Sequence, residues 1–248
     1  MADVIIVTGA GRGIGAATAL LAAQRGYSVC INFRHNRAAA DGVVHAIEAA
    51  GGRAIGVAAD VSSEPDVERL FETCDRDLGP PTALVNNAGI LEKQMRVEAM
   101  DSARIQRIFA TNVIGSFLCA REAVRRMSTK RGGSGGAIVN VSSGASRLGA
   151  PGEYVDYAAS KGAVDTLTIG LAKEVADEGI RVNAVRAGYI YTDIHASGGE
   201  PGRVDRVKQF VPMKRGGTAN EVAQAILWLL SRDASFTTGS FIEVTGGN

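Results

Sequence analysis

The stretch Thr8-Gly9-Ala10-Gly11-Arg12-Gly13-Ile14-Gly15 joins a short apolar run, Val4–Thr8, to a segment with helical spacing. Glycines at such a strand-to-helix turn let the backbone bend tightly and approach a pyrophosphate, whose charge then meets the N–H groups of the helix start. Two spacings fit the turn: GxGxxG/A on Gly11, Gly13 and Ala16, and TGxxxGxG on Gly9, Gly13 and Gly15. Both predict a nucleotide site; a glycine-rich turn without a ligand is the alternative.

The rest of the chain repeats this order of strand and helix, because short β-rich runs alternate with longer segments of helical periodicity. The predicted strands are Val4–Thr8, Ser28–Phe33, Ala54–Ala58, Ala83–Val85, Ala137–Val141, Arg181–Arg186 and Phe241–Val244. The predicted helices lie near residues 14–25, 37–50, 64–78, 101–130, 156–178 and 219–231. Near-continuous apolar strands separated by helices predict a doubly wound α/β fold of the Rossmann type, with a seven-stranded parallel sheet.

No linker divides the chain, so we expect a single domain over residues 1–248. The glycine-rich residues 132–136 are interpreted as a surface loop. Residues 189–215 are irregular and directly follow a predicted strand, at the edge where ligands bind in this fold class. This segment is therefore predicted to be a substrate lid, with a variable insertion as the alternative.

Composition argues against several classes of function. The formal net charge of +1 gives no overall attraction to nucleic acid or an anionic membrane. Cys30, Cys74 and Cys119 form no CxxC pair, which argues against a zinc site or a disulfide framework. The first residues enter an apolar strand without the pattern of a signal peptide, and no apolar run reaches the ~20 residues of a membrane span. We expect a cytoplasmic protein without a metal, nucleic-acid or membrane partner.

The end of the second predicted strand indicates which nicotinamide cofactor binds. A free ribose 2′-hydroxyl calls for Asp or Glu about twenty residues past the glycines. Phe33 occupies that place and Arg34 follows it. A guanidinium suits a 2′-phosphate through bidentate, charge-assisted contacts, and Arg12 in the glycine turn can add a second cation. These residues favour NADP(H) over NAD(H); two solvated surface arginines are the alternative.

Tyr157 and Lys161 are spaced i, i+4 on a predicted helix, so they share one face. A phenol with a pKa near ~10 is a poor base at neutral pH, and a neighbouring ammonium lowers that pKa. Tyr154 lacks such a partner, because its i+4 residue is Ala158. A half-buried tyrosine with a surface lysine is the alternative interpretation.

Further polar residues follow the predicted strands or lie near them. Ser142 and Ser143 stand at the end of the fifth strand, where a hydroxyl can hold a carbonyl oxygen. Asn86–Gly89 follow the fourth strand, and Asn112 lies inside the long helix. A buried amide at that position is equally expected to bond a backbone carbonyl.

Taken in order, these motifs resemble the short-chain dehydrogenase/reductase family over essentially the whole chain. The matching positions are Thr8–Gly15, Asp60, Asn86–Gly89, Asn112, Ser143, Tyr157, Lys161 and Gly188-x-x-x-Thr192. The resemblance implies that Tyr157 is the acid/base and that Lys161 binds the nicotinamide ribose and lowers the pKa of that tyrosine. It implies further that Ser143, rather than Ser142, orients the carbonyl, and that Asn112 holds a water in a proton relay.

The cofactor site expected from the resemblance and from the two arginines spans the whole sheet edge. Asp60 and Val61 would contact the adenine, Asn87 would flank the cofactor, and Ile190 and Thr192 would meet the carboxamide. The full set is Gly9, Arg12, Gly13, Ile14, Gly15, Arg34, Asp60, Val61, Asn87, Ala88, Gly89, Tyr157, Lys161, Gly188, Ile190 and Thr192. One departure is Ala187, where the family usually has proline; losing that φ constraint predicts a modest loss of preorganisation.

The resemblance leaves the substrate open, with residues 146–156 and 189–215 expected to line its pocket. The chain is similar to 3-oxoacyl-carrier-protein reductases, which need a basic landing site for an acidic carrier. Five residues are candidates for it, with solvated helix charges as the favoured alternative: Arg125, Arg126, Lys130, Arg131 and Lys173. A sugar or polyol dehydrogenase is the competing interpretation.

A non-catalytic cofactor-binding protein is a third alternative, and the intact set of Asn112, Ser143, Tyr157 and Lys161 argues against it. Family members are usually homotetramers. The helices near 101–130 and 156–178 and the end Phe241–Val244 are the expected interfaces.

Overall fold

The computed structural model describes residues 3–248; Met1 and Ala2, where the sequence predicts no leader segment, lie outside the described residues. The strands are β1 (Val4–Val7), β2 (Ser28–Phe33), β3 (Arg53–Ala58), β4 (Ala83–Asn86), β5 (Gly136–Ser143), β6 (Ile180–Ala187), β7 (Ile190–Tyr191), β8 (Gly217–Thr218) and β9 (Phe241–Val244). The α-helices are α1 (Gly13–Gln24), α2 (Arg37–Ala49), α3 (Glu64–Asp77), α4 (Ser102–Phe109), α5 (Gly115–Met127), α6 (Ala145–Leu148), α7 (Val155–Glu174), α8 (Ile194–Ser197), α9 (Arg203–Val207) and α10 (Ala219–Leu230).

Seven of the strands in residues 3–248 form one parallel sheet in the order β3-β2-β1-β4-β5-β6-β9. The order reverses between β1 and β4, which opens a crevice at their carboxyl ends. The predicted doubly wound α/β fold is therefore confirmed. The sequence did not predict the small sheet of β7 and β8, whose strands have only two residues each.

Both faces of the sheet are covered, which explains the continuous apolar strands. In β1, Ile5 and Val7 pack in a core with α1, α2 and α10, whereas Val4 and Ile6 pack in a second core with α3, α5 and α7. Successive side chains of a strand point to opposite faces, so every position of β1 is buried. All three cysteines are buried and free.

The helix predicted over 101–130 is instead three segments. A π-helical turn, Ala110–Ile114, separates α4 from α5, and Asn112 lies within it. Gly115 follows immediately; a Cβ there would lie 2.7 Å from Cγ2 of Val61. Close packing against the loop after β3 therefore accompanies the change of helical pitch, and no local sequence signal marks it.

The segment predicted as a lid, residues 189–215, contains β7, α8 and α9. It lines one side of the crevice through residues such as Ile190 and His195. Within residues 3–248, no helix is both long and apolar enough to cross a membrane.

Candidate active site

A cleft of about 460 Å³ lies along the carboxyl ends of the strands, within the usual range for small-molecule sites. Its walls come from the loops after β1 to β6. We call the part lined by residues 145–157 and 189–203 the substrate end, and the part beside the glycine turn the cofactor end.

The structure decides between the two glycine spacings. Gly9 has φ +62° and Gly13 has φ +55°, conformations that side chains rarely adopt. A Cβ on Gly15 would lie 2.5 Å from Nδ2 of Asn87 and 2.6 Å from the carbonyl oxygen of Gly9. A Cβ on Gly11 would meet nothing closer than 3.5 Å. The turn therefore follows the TGxxxGxG spacing. Gly15 itself packs beneath the cleft rather than lining it.

The glycine turn is tied to the loop after β4 by hydrogen bonds. Nδ2 of Asn87 donates to the carbonyl oxygens of Thr8 at 2.8 Å and Gly9 at 3.1 Å. Oγ1 of Thr8 accepts from the backbone N–H groups of Asn87 and Ala88, both at 2.9 Å. Asn87 therefore holds the turn with its side chain, and it lines the cleft together with Ala88 and Gly89.

Asn32 is a supporting residue that reasoning from the sequence missed, although a polar residue inside an apolar strand is a usable signal. Its Oδ1 accepts from the backbone N–H of Gly9 at 3.2 Å, and its Nδ2 donates to the carbonyl of Ala59 at 2.9 Å. The side chain is 1% exposed. It thus links the glycine turn to the end of β3 from the side opposite Asn87.

Both predicted arginines reach the cofactor end. Nε of Arg34 lies 2.8 Å from Oδ2 of Asp60, and the arginine side chain is 54% exposed. Oδ1 of Asp60 accepts from the backbone N–H of Ser62 at 3.0 Å. Nη2 of Arg12 donates to Oγ of Ser197 in α8 at 3.1 Å. Val61 lines the cleft next to Asp60.

Tyr157, Ser143 and Lys161 converge in the cleft. Burial raises the pKa of Tyr157 to about 12, and the neighbouring Ser143 hydroxyl opposes that shift. Oγ of Ser143 also accepts from the backbone N–H of Ala145 at 3.1 Å. Ser142 is 1% exposed and its Oγ donates to the carbonyl of Lys161, so Ser143 is the better placed of the pair.

The lowering of the tyrosine pKa by Lys161 stays a prediction, and burial is the largest influence on the pKa of both groups. Nζ of Lys161 lies 5.6 Å from the ring centroid of Tyr157 and donates to the carbonyl oxygen of Val141 at 2.8 Å. Burial lowers the pKa of Lys161 to about 8, against the attraction of Asp165. Desolvation is the largest cause of both shifts, so the phenol stays protonated at neutral pH.

Asn112 lies behind the wall of the cleft and is fully buried. Its Oδ1 accepts from the backbone N–H of Ile90 at 2.8 Å, and its Nδ2 donates to the carbonyl of Ile90 at 3.1 Å and to Oγ of Ser160 at 3.0 Å. The backbone contact that the sequence left open is thus present. It fixes the loop after β4 against α7, the helix of Tyr157.

A buried ion pair stands beside Tyr157 and has no local sequence signal. Nε of Arg104 donates to Oδ2 of Asp156 at 2.7 Å, and both side chains are 4% exposed or less. Nη1 of Arg104 donates to the carbonyl of Lys93, and Oδ1 of Asp156 accepts from the backbone N–H of Tyr157 at 2.8 Å. The pair fixes the first turn of α7, where a carboxylate also interacts favourably with the helix dipole.

The loop after β6 begins at Ala187, the last residue of that strand. Its carbonyl oxygen accepts from the backbone N–H of Gly144 at 2.9 Å, and the N–H of Gly188 donates to the carbonyl of Val244 at 2.9 Å. Ladder hydrogen bonds therefore order the backbone where the family usually has proline. Gly188, Ile190 and Thr192 all line the cleft.

The basic residues considered as a carrier landing site lie on the wrong edge of the molecule. They lie in the last turns of α5 and α7 or just after α5, at the amino ends of the strands. The eight residues of β5 separate that edge from Ser143 by more than about 20 Å. Arg125, Arg126 and Lys130 are also ion-paired with Glu122, Asp75 and Asp177. Three of the five residues are thus held in ion pairs within the chain.

No group of three or more His, Cys, Asp or Glu side chains in the described residues has an arrangement that could hold a metal ion.

The chain belongs to the short-chain dehydrogenase/reductase family. The family model described as enoyl-(acyl carrier protein) reductase matches residues 9–248. An uncharacterized oxidoreductase of Escherichia coli, YgfF, is 63% identical over 98% of this chain and 99% of its own. The chain is also similar to a 3-oxoacyl-[acyl-carrier-protein] reductase of Synechocystis (39%, covering 99% and 96%) and to glucose 1-dehydrogenase 2 of Bacillus subtilis (35%, covering 98% and 93%).

Solved structures agree with the family. A mutant form of a Serratia marcescens short-chain dehydrogenase/reductase superposes with a TM-score of 0.91 at 29% identity, covering 99% of this chain and 97% of that one. The chain is therefore an oxidoreductase of a family that generally uses NAD(P).

The two glycine spacings predict different sensitivities to substitution. Gly15→Ala should lower the free energy of unfolding by about 1–3 kcal/mol, because the new Cβ meets backbone and Asn87 on all sides. Gly11→Ala, the matched control, should change it by less than about 0.5 kcal/mol. Urea denaturation at one protein concentration measures both. Equal losses, or a larger loss for Gly11→Ala, would contradict the TGxxxGxG assignment.

Proposed function

We propose that the protein is an NADP(H)-dependent oxidoreductase that interconverts a carbonyl compound and a secondary alcohol, with Tyr157 as its acid/base. The observation that carries this proposal is the convergence of Tyr157, Ser143 and Lys161 in one cleft beside the glycine turn. In the reductive direction a ketone, one hydride and one proton give an alcohol. A neutral phenol at the reacting end suits that direction, because it has a proton to give.

The cofactor end fits a dinucleotide. Among the described residues no side chain caps the start of α1, and its first turn has no acidic residue, so its N–H groups face the cleft without a competing anion. Gly9 and Gly13 bring the backbone close, and Asp60 and Val61 would hold the adenine. Gly188, Ile190 and Thr192 would hold the carboxamide.

In the proposed mechanism the nicotinamide, when bound, supplies or accepts the hydride. Ser143 donates a hydrogen bond to the carbonyl oxygen and orients it toward Tyr157. Tyr157 gives its proton to that oxygen as negative charge develops there. Lys161 binds the ribose hydroxyls and stabilises the phenolate that is left. Asn112 fixes the loop at Ile90. We propose that it also orders a water that returns a proton to Tyr157.

The substrate is a neutral carbonyl compound or its alcohol; a 3-oxoacyl thioester and a sugar or polyol are the two candidates. The resemblance to a 3-oxoacyl-[acyl-carrier-protein] reductase supports the first. The resemblance to glucose 1-dehydrogenase supports the second. The position of the basic helix ends, on the edge away from Tyr157, removes one argument for a carrier protein.

We also propose a cytoplasmic homotetramer. Ile114 and Phe117, at the start of α5, are each 51% exposed, and Ile169 in α7 is 41% exposed. Apolar side chains on helices 101–130 and 156–178 suit subunit contacts. Light scattering of the purified chain distinguishes a tetramer from a dimer.

Tyr157→Phe should lower kcat by roughly 10²–10⁴-fold, because it removes the hydroxyl that transfers the proton and leaves the shape of the ring unchanged. The Kd for NADPH, measured by fluorescence titration, should stay nearly the same. Tyr27→Phe is the matched control, since Tyr27 lies beyond α1 at the amino end of β2. Substantial residual turnover in Tyr157→Phe would refute the assignment of the acid/base.

Arg34→Ala should lower the preference for NADPH over NADH by about ten- to a hundredfold, because it removes charge-assisted bonds to the 2′-phosphate. The ratio of kcat/KM for the two cofactors measures that preference. Arg25→Ala is the control and should leave the ratio unchanged. Arg25 is also an exposed arginine, but it lies at the far end of α1, where its Nη2 donates to Gln224. An unchanged ratio in Arg34→Ala, or equal use of NADH by the unsubstituted enzyme, would overturn the NADP(H) proposal.

A further inference from the structure

Two buried polar atoms at the substrate end have no hydrogen-bond partner among residues 3–248: Oη of Tyr154 and Nδ1 of His195. Both residues line the cleft that holds Tyr157, and Tyr154 is only 3% exposed. Buried polar groups are rarely left unpaired in native proteins, so each such atom requires a physical explanation. Two of them in one cavity indicate a ligand that pairs with both.

The two atoms differ in hydrogen-bonding character. Nε2 of His195 lies 3.0 Å from the carbonyl oxygen of Ile190, which can only accept, so Nε2 carries the ring proton and Nδ1 is an acceptor. Burial lowers the pKa of His195 and keeps the ring neutral. Tyr154 has a proton to donate. The amide nitrogen of Gln94, close by, is itself a donor, to Glu200 at 2.6 Å. The cleft thus offers one donor and one acceptor.

The charged residues around these atoms are already paired. Arg203 is 5% exposed; its Nη2 donates to Glu153 at 2.5 Å and its Nη1 to Glu200 at 3.2 Å. Arg206 bonds the same two carboxylates, so two cations face two anions. The guanidinium of Arg203 lies 4.8 Å from the ring centroid of Tyr154. This arrangement is electrically balanced and suits a neutral substrate group better than a carboxylate or phosphate.

The unpaired donor is close to the reacting phenol. Tyr154 is the N-cap residue of α7 and Tyr157 lies three residues further on, in the first turn of that helix, and both residues line the same cleft. The polar substrate group must then lie within a few bonds of the carbonyl carbon. A hydroxyl on an adjacent carbon meets that requirement. The first amide of an acyl thioester arm lies several bonds further away.

We propose that the substrate is a hydroxylated ketone or the corresponding polyol, whose hydroxyl accepts from Oη of Tyr154 and donates to Nδ1 of His195. This inference rests on the proposed function and makes Tyr154 and His195 specificity-determining residues. The hydroxyl itself is unchanged by the reaction; only the neighbouring carbonyl takes up a hydride and a proton.

The test compares 2-hydroxycyclohexanone with cyclohexanone, using NADPH and kcat/KM as the readout. The hydroxylated ketone should be preferred by about tenfold or more, and Tyr154→Phe and His195→Gln should each remove most of that preference, because each deletes one hydrogen bond. Gln retains a donor for Ile190 at the position of Nε2, but its acceptor oxygen does not occupy the position of Nδ1. His195→Asn, which retains an acceptor near Nδ1, should keep more of the preference than His195→Gln.

Tyr191→Phe is the matched control, since Tyr191 itself does not line the cleft, its Oη bonds Asp205 and the residue is 46% exposed. It should leave both kcat/KM values unchanged. Tyr154→Phe should also melt no lower than the unsubstituted protein, because the hydroxyl that it removes has no protein partner. Equal rates on the two ketones, or a loss in Tyr154→Phe that is the same for both, would overturn the proposal, as would stronger use of an acetoacetyl thioester than of the hydroxyketone.

A binding measurement separates this inference from the proposed function. Cyclohexane-1,2-diol should raise the melting temperature of the protein with NADP⁺ more than cyclohexanol does, and Tyr154→Phe should abolish the difference. If no ketone is reduced but this difference is present, the proposed function fails and the polar subsite stands. If ketones are reduced and the difference is absent, an ordered water satisfies the two atoms and the subsite is wrong.

Discussion

The contact between Gly15 and Asn87 is the constraint on which the rest of the site depends. Because Gly15 carries no Cβ, the start of α1 can approach the loop after β4 closely enough for Asn87 to bond the carbonyls of Thr8 and Gly9. Those two bonds join the carboxyl ends of β1 and β4, the neighbouring strands at which the sheet order reverses. The crevice that this reversal creates is therefore held at a fixed width on its cofactor side.

The other half of the site is positioned from the opposite side of the same loop. Asn112 bonds both backbone groups of Ile90, and it also bonds Ser160 of α7. The buried pair of Arg104 and Asp156 then ties α4 to the first turn of α7. Tyr157 thus stands on a helix that is fixed at two points, which limits the motion of its phenol relative to the glycine turn. Such support favours proton transfer from Tyr157, since catalysis depends on reacting groups that are already held in the correct geometry.

Most of the fold and the cofactor end could be predicted from the sequence because local rules determine them. Alternating apolar strands and helices specify the doubly wound sheet, and Gly9, Gly13 and Gly15 are required by backbone conformation and close approach. The substrate end could not be predicted in this way. Arg203 and Glu153 are 50 residues apart, and Arg104 and Asp156 are 52 apart, so no window of sequence contains either pair. The π turn at Asn112 likewise arises from tertiary packing rather than local propensity.

The pKa values in the cleft depend on burial, which the spacing of Tyr157 and Lys161 in the sequence does not indicate. Tyr157 and Lys161 at i, i+4 suggest an ion pair that lowers the phenol pKa, yet burial raises that pKa to about 12 and lowers that of the lysine to about 8. Spacing shows that two groups can meet, whereas desolvation depends on everything packed around them. With a pKa of about 12 the buried phenol keeps its proton at neutral pH, while a lysine with a pKa of about 8 stays mostly charged. Tyr157 is therefore set to give a proton rather than to take one, which suits the reductive direction of the proposed reaction.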